Sequence, residues 1–333
     1  MHTPKPKLPT IALIGTGGTI ASTASDPTAM TGYAVTEPVS AILDAVPEIT
    51  GLANVQYCQP FNVDSRCIDN KMVLKLARRV DRILADPAVD AAVITHGTDT
   101  LEETAYFLDL TLKSRKAVVM TGAMRPASAR SADGPLNLYH AMLVAAAPDA
   151  AGRGVMVAMN ESVHAARHVC KTHTSNVQAF SSQQHGCLGG IVNGMPRFFN
   201  TPASSHTLAT DFTVSGLKTL PWVDIIYDHQ SAGPHLFEAS IAAGAQGIVL
   251  AGTGNGSMSP AAEKGMRLAV RKGVACVRST RVGDGHVSAS TTDARHGLIS
   301  AGSLNPQKAR ILLMLALSVT RDRERIQGYF DRC

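Results

Sequence analysis

Short apolar runs alternate along this chain with stretches in which apolar residues recur every three or four positions. The first pattern predicts strands and the second helices. Ile11–Ile14, Asn54–Cys58, Ala91–Ile94, Ala117–Met120 and Val155–Ala158 read as strands. A short helix is expected over Val39–Val46, after Pro38. In Lys71–Leu84, Met72, Leu76, Val80, Ile83 and Leu84 fall on one face, which predicts an amphipathic helix stopped by Pro87. Thr100 and Glu103 stand at capping-box spacing before a helix over Leu101–Leu112, and Gly134-Pro135 precedes one over Leu136–Ala147. Alternation of this kind builds βαβ units, hence an α/β fold with a mainly parallel sheet covered by helices.

The pattern changes between Glu161 and Phe199. There Gly189-Gly190 and Asn193-Gly194 predict the turns of hairpins. Residues 201–221 hold Pro, Ser, Thr and Gly with little periodicity and read as a linker. The alternation then restarts, with strands at Val223–Ile226, Ile248–Leu250 and Val274–Val277 and helices at Leu236–Ala243 and Ala261–Val270. Asn305-Pro306 is an N-cap and first turn for a helix over 307–318, and a last helix is expected near 322–330. The expected organisation is a larger N-terminal α/β domain over 1–200, the linker, and a smaller C-terminal α/β domain over 222–333.

Composition narrows the function. Charged residues are 17% of the 333, against an ordinary share of about one quarter, which points to extensive burial, including subunit contacts. The 31 Lys and Arg are scattered and leave a net charge of only +5, and aromatics are 5%, so a nucleic-acid partner is not expected. No run of 18 apolar residues is present, so no membrane span is expected. Ile11–Ile14 is too short an apolar run for a signal peptide. The six cysteines form no CxxC pair, which fits reduced side chains in a cytoplasmic protein.

Two glycine-rich turns follow predicted strands. Gly15-Thr16-Gly17-Gly18-Thr19-Ile20 lacks the final Gly of a dinucleotide fingerprint and the Gly-Lys-Ser/Thr of a P-loop. It offers instead a hydroxyl, Thr19, at the carboxyl end of a strand, where open α/β sheets bind ligands; the plainer alternative is a tight turn. Thr95-His96-Gly97-Thr98-Asp99-Thr100 precedes a helix whose N-terminal N–H groups favour negative charge, as on a developing oxyanion. Asp99 can equally assist the cap, and His96 alone reads as a packed histidine. Lys171 is a candidate for activating a hydroxyl. No His or carboxylate cluster has metal-ligand spacing.

These segments resemble the bacterial-type L-asparaginase family over nearly the whole chain. The resemblance rests on Thr16-Gly17-Gly18-Thr19-Ile20-Ala21 and on Thr95 to Phe107. Gly122-Ala123-Met124-Arg125-Pro126, Ser131-Ala132-Asp133-Gly134-Pro135 and Leu304 to Arg310 add to it. It implies a large and a small α/β domain, assembled as a homotetramer of two intimate dimers. It also implies that Thr19 attacks the side-chain amide of an amino acid, releasing ammonia and leaving an acyl-enzyme that water cleaves. Tyr33, in a loop that acts as a lid, and Thr98 with Lys171 match the family's other catalytic residues. Asp99 matches the acid that binds the α-ammonium and Ser65 the serine that binds the α-carboxylate. Gly18 lies beside the substrate, and the Ala123 carbonyl receives the leaving amide. No cofactor or metal is implied.

Departures from the family pattern bear on the substrate. Arg66 stands where Gln or Glu is usual, and either grips a carboxylate or points to solvent. Ser290 aligns with a glutamate that a partner subunit supplies in several members, and Ser257 with a nearby Asn. L-Asparagine is the expected substrate, with a glutaminase-asparaginase or another amino-acid amidase as the alternative. A non-catalytic amide-binding protein or a subunit of a tRNA-dependent amidotransferase is the reading from another class. With ten residues ahead of the first strand, the extra N-terminal domain of such a subunit is not expected.

Overall fold

In the computed structural model, which describes residues 7–28 and 31–333, the main sheet has eight strands. These are β1 (Thr10–Gly15), β2 (Asn54–Cys58), β3 (Ala91–Thr95), β4 (Ala117–Thr121), β5 (Val155–Met159), β6 (Ser162–Ala165), β7 (Gly189–Val192) and β8 (Met195–Phe198). Their order is β8-β7-β6-β5-β4-β3-β1-β2. The pairs from β2 to β5 are parallel, and β6, β7 and β8 are added antiparallel. All residues of β3, β4 and β5 are buried, because both sheet faces are covered, whereas β2 at the edge is half exposed.

The helices are α1 (Val39–Asp44), α2 (Asn70–Ala85), α3 (Leu101–Thr111) and α4 (Gly134–Ala146). α2 is capped by Asp69, whose carboxylate accepts from the Met72 amide, and it buries Leu74, Leu76, Ala77, Val80 and Leu84. Met72 and Ile83, expected on that face, are only partly covered. α3 is buried nearly all round, Tyr106 and Phe107 included, as expected of a helix packed inside a layer. Its expected capping box does not form. Thr100 sends its hydroxyl to the Ser65 carbonyl at 2.9 Å instead, tying the helix start to the 3-10 turn Ser65–Cys67 that follows β2.

Two hairpins follow β5. The β5–β6 turn carries Asn160 and Glu161 at φ +47° and +64°, and the β7–β8 turn Asn193 and Gly194 at +50° and +70°; positive φ at both central residues matches the twist of the strands. The first turn lacks glycine and gave no turn signal. The second is the expected one. Gly189-Gly190 is no turn: both lie within β7, where a side chain on Gly189 would strike the Arg197 carbonyl of β8.

The chain divides into two compact units, Met1–Ala209 and Thr210–Cys333. The second holds a parallel sheet of β9 (Val223–Tyr227), β10 (Gly247–Gly252), β11 (Ala275–Thr280) and β12 (Ile299–Ser300), in that order. Its helices are α5 (His235–Ala242), α6 (Pro260–Arg271), α7 (Thr291–His296), α8 (Pro306–Leu317) and α9 (Arg323–Arg332). Asn305 caps α8 by accepting from the Lys308 amide, as expected. No helix among the described residues is long and apolar enough to cross a membrane. None of the six cysteines is in a disulfide.

Arg278 of β11 organises one end of this unit. Its guanidinium meets both Asp293 oxygens, at 2.8 and 2.6 Å, and donates to the carbonyls of Asn255, Gly256 and Ser288. Both side chains are under one-tenth exposed. Ser290 and Asp293 form a capping box for α7. Burial alone would raise the Asp293 carboxyl, but the Arg278 guanidinium and the Ser290 hydroxyl and amide outweigh it and hold the carboxyl below its ordinary value. Ion pairing at this site therefore stabilises the fold at neutral pH and is lost as pH falls through that lowered value. Asp293→Asn leaves Arg278 buried without its counter-charge, so unfolding in urea at pH 7 is expected to show a loss of about 3 kcal/mol. The deficit should shrink on acidification.

Candidate active site

Three strand ends meet at one place. In the parallel register Gly15 of β1 lies beside Thr95 of β3, and Ile14 beside Cys58 of β2. The turn after β1 is stitched to both neighbours. Thr16 donates its amide and hydroxyl to the Thr95 carbonyl at 3.1 and 2.8 Å, and the Gly18 amide donates to Val63 at 3.0 Å. The turns after β1 and β3 touch backbone to backbone. Gly18 has φ +84°, and a side chain on it would collide with the main chain of Gly97; one on Gly97 would come within 2.7 Å of the Ser65 hydroxyl.

Thr19 opens a single 3-10 turn, Thr19–Ala21, and is 9% exposed. Its hydroxyl lies 3.1 Å from the Tyr33 hydroxyl. Tyr33 is brought there by a two-rung antiparallel ladder that pairs Ser22–Thr23 with Ala34–Val35. Of the expected lid, Ala29 and Met30 lie outside the described residues. Across the cavity, Lys171 donates to the Thr98 hydroxyl at 3.0 Å and to Asp99 Oδ1 at 2.5 Å. The Lys171 side chain is 17% exposed and that of Asp99 62%, so this pair bridges the interior and the open cavity. A second small ladder, Cys170–Lys171 with Phe180–Ser181, fixes the lysine; two residues per strand were too few to leave a pattern in the sequence.

One cavity of about 380 Å³ is lined by Gly18, Thr19, Tyr33, Ser65, Arg66, Thr98 and Asp99, with Asp64 and Cys67 also on its wall. That size suits a small ligand. Arg66 bonds to its own neighbour, Asp64, through Nε at 3.0 Å and through its amide at 3.1 Å. Sequence reasoning passed over Asp64, although an acid two residues before Arg is a common local cap. Ala123 is fully buried beyond the end of β4 and does not line the cavity; Asp133 holds the segment after it through the Met124 and Arg125 amides. Ser257 is exposed in the second unit, where its main chain pairs with Thr253, and Ser290 there is committed to the α7 capping box. Among the described residues, no group of three His, Cys, Asp or Glu is arranged to hold a metal.

His96 is a packed histidine. It is fully buried, with Nδ1 2.7 Å from the Gly97 carbonyl and Nε2 without a partner. Burial pushes its pKa down to about 4 despite the Gly97 bond.

A family model described as "Asparaginase, N-terminal" matches residues 10–204, and one described as "Glutaminase/Asparaginase C-terminal domain" matches 222–330. L-asparaginase 2 of Bacillus subtilis is 52% identical over 328 residues, which is 98% of this chain and 87% of that protein. A glutaminase-asparaginase of Acinetobacter glutaminasificans is 42% identical over 326 residues, 96% of this chain and 98% of that protein. The crystal structure of a probable cytoplasmic L-asparaginase from Campylobacter jejuni superposes with a TM-score of 0.95 at 45% identity, covering 98% of this chain and 100% of the other.

The geometry makes two predictions. Gly18→Ala must push the two turns apart, so the variant is expected to lose amide turnover while a purified, folded fraction keeps its far-UV circular dichroism. The unfolded chain takes up a proton at His96 near pH 6.5 and the native one only near 4. Stability is therefore lost as pH falls across that window, by about 3 kcal/mol from this residue. His96→Gln should flatten the acid limb of a Tm-against-pH curve.

Proposed function

This chain belongs to the asparaginase family and is an amide hydrolase, and we propose that it converts L-asparagine to L-aspartate and ammonia through a Thr19 ester. The observation that carries the reading is the convergence of two partnered hydroxyls, Thr19 with Tyr33 and Thr98 with Lys171, on one small cavity.

Asp99 binds the substrate's α-ammonium through Oδ2, which has no partner among the described residues, while Oδ1 stays with Lys171. Ser65, with Gly18 beside it, receives the α-carboxylate. The clamp sets the side-chain amide over Thr19 and converts an encounter into an aligned attack. Thr19 Oγ adds to the amide carbon as Tyr33 draws off its proton, and that proton passes to the nitrogen, so ammonia leaves and an ester remains. Lys171 donates to Thr98 Oγ and so leaves the Thr98 O–H free to donate to the reacting carbonyl or its attacking water. Water cleaves the ester, restores Thr19 and yields the second carboxylate; the acid proton ends on ammonia as ammonium.

Arg66, clasped by Asp64, places a positive charge at the cavity mouth and strengthens the hold on the α-carboxylate. A partner subunit contributes Ser257 in a homotetramer of intimate dimers, a reading supported by the low charged fraction. The six cysteines, none of them in a disulfide, support a cytoplasmic setting. A glutaminase-asparaginase is the second reading, favoured by the name of the Acinetobacter relative. One methylene alters binding by about 1–3 kcal/mol in an apolar pocket, too little to exclude glutamine.

Ammonia release from L- and D-asparagine and L- and D-glutamine tests the proposal. L-Asparagine should give the highest kcat/KM, and a higher value for L-glutamine would install the second reading. Thr19→Ala and Thr98→Ala are each expected to lose about 10³-fold or more in kcat, and full activity of Thr19→Ala would refute the nucleophile. Light scattering should return the mass of four chains.

A further inference from the structure

A second cavity, of about 490 Å³, lies on the N-terminal unit where β2 ends against α2. Its wall is made by Cys58, Gln59 and Pro60 on one side and by Lys75, Arg78, Arg79 and Arg82 on the other. No carboxylate lines it. The four cations stand at helical spacing (i, i+3, i+4, i+7), within an arc of roughly 100° on the face of α2 opposite Ala77, Val80 and Leu84. α2 carries a single acid, Asp81, and that accepts from the Lys113 amide at 3.1 Å. Lys75 is held to the Pro60 carbonyl at 3.1 Å, so its charge is fixed at the cavity wall without being neutralised. Arg79 and Arg82 make no ion pair among the described residues, and both are exposed.

Like charges three and four residues apart oppose the helix that bears them. Four such cations converge here on a concave surface of ligand size. The repulsion among Lys75, Arg79 and Arg82 is relieved by one multiply charged anion. Three of the four are arginines, whose forked guanidinium groups match phosphate oxygens two at a time. We propose that this cavity is a binding site for a small polyphosphate, an anion with two or more linked phosphate groups, distinct from the amide-hydrolysing cavity. The reading of charge along the chain passed over it, because the four cations form no unbroken run and are joined only at the helical intervals of residues 75–82.

The test is titration calorimetry on the intact protein at about 0.15 M salt, with inorganic diphosphate as the probe and ATP and citrate as comparison arms. Saturable diphosphate binding, weakened about tenfold or more in Arg79→Ser/Arg82→Ser, is expected. Both positions are exposed, and unchanged amide hydrolysis by the variant verifies its fold. ATP binding more tightly than diphosphate identifies a nucleotide as the source, and equal affinity identifies the free phosphate anion; either supports the site. The proposal fails if diphosphate does not saturate, if the variant binds it equally, or if citrate matches it. It fails also if a single-stranded RNA binds where diphosphate does not, or if the double variant changes the oligomeric mass, which would make the cluster a contact between subunits.

Discussion

Everything at the candidate site depends on two main-chain turns touching with no side chain between them. Gly18 rests on the main chain of Gly97, and Gly97 in turn leaves room for only the Ser65 hydroxyl. Parallel pairing of β1 with β2 and β3 brings the three strand ends level. Backbone hydrogen bonds from Thr16 and Gly18 then lock the first turn to both neighbours. Because the main chain is this close, Thr19, Ser65 and Thr98 open onto one cavity rather than three separate grooves. The hydroxyls are set by backbone contacts, which are stiffer than side-chain packing and leave little adjustment to solvent.

Two kinds of connection complete the constellation. Tyr33 reaches Thr19 over a separation of 14 residues, through the local Ser22–Thr23 ladder. Lys171 reaches Thr98 over 73, and comes from beyond the parallel part of the sheet. Between the two hydroxyls the electrostatics differ. Thr19 faces the Tyr33 hydroxyl, whereas Thr98 touches an ion pair whose acid is mostly exposed. In the proposed mechanism the first hydroxyl is placed for a proton to leave and the second for charge to be held.

The strands and helices of both units were legible because each carries its own period. Ala91–Ile94 is a continuous apolar run since both faces of β3 are covered, and α2 shows its buried stripe since one face is wet. The two Thr-bearing turns were legible as candidate chemistry through their resemblance to the asparaginase family, since each taken alone also reads as a tight turn or a helix cap. Distances were not legible. Nothing in the order of residues says that Lys171 meets Thr98, since that contact is made by the register of distant strands. Errors came where one residue type serves two ends. Gly189-Gly190 looked like a turn but gives a strand room to approach Arg197. Thr100 looked like a helix cap, but its hydroxyl found a better acceptor in the Ser65 carbonyl, a group remote in sequence.

The ladder of Ser22–Thr23 with Ala34–Val35 is only two residues long on each side. A pair of strands that short is marginal alone, and each of its hydrogen bonds contributes about 1 kcal/mol net. Outside help comes from the Ala24 amide, which donates to the Ser128 hydroxyl at 2.8 Å, and from the Ala127 amide, which donates to the Ser22 carbonyl at 2.8 Å. The contact of Tyr33 with Thr19 therefore rests on few bonds, unlike the backbone-locked floor beneath it. If Tyr33 serves the reaction as proposed, observed turnover becomes the product of an intrinsic rate and the occupancy of that contact. Cooling, crowding or a bound amino acid can each raise that occupancy without altering a single atom of the reacting groups.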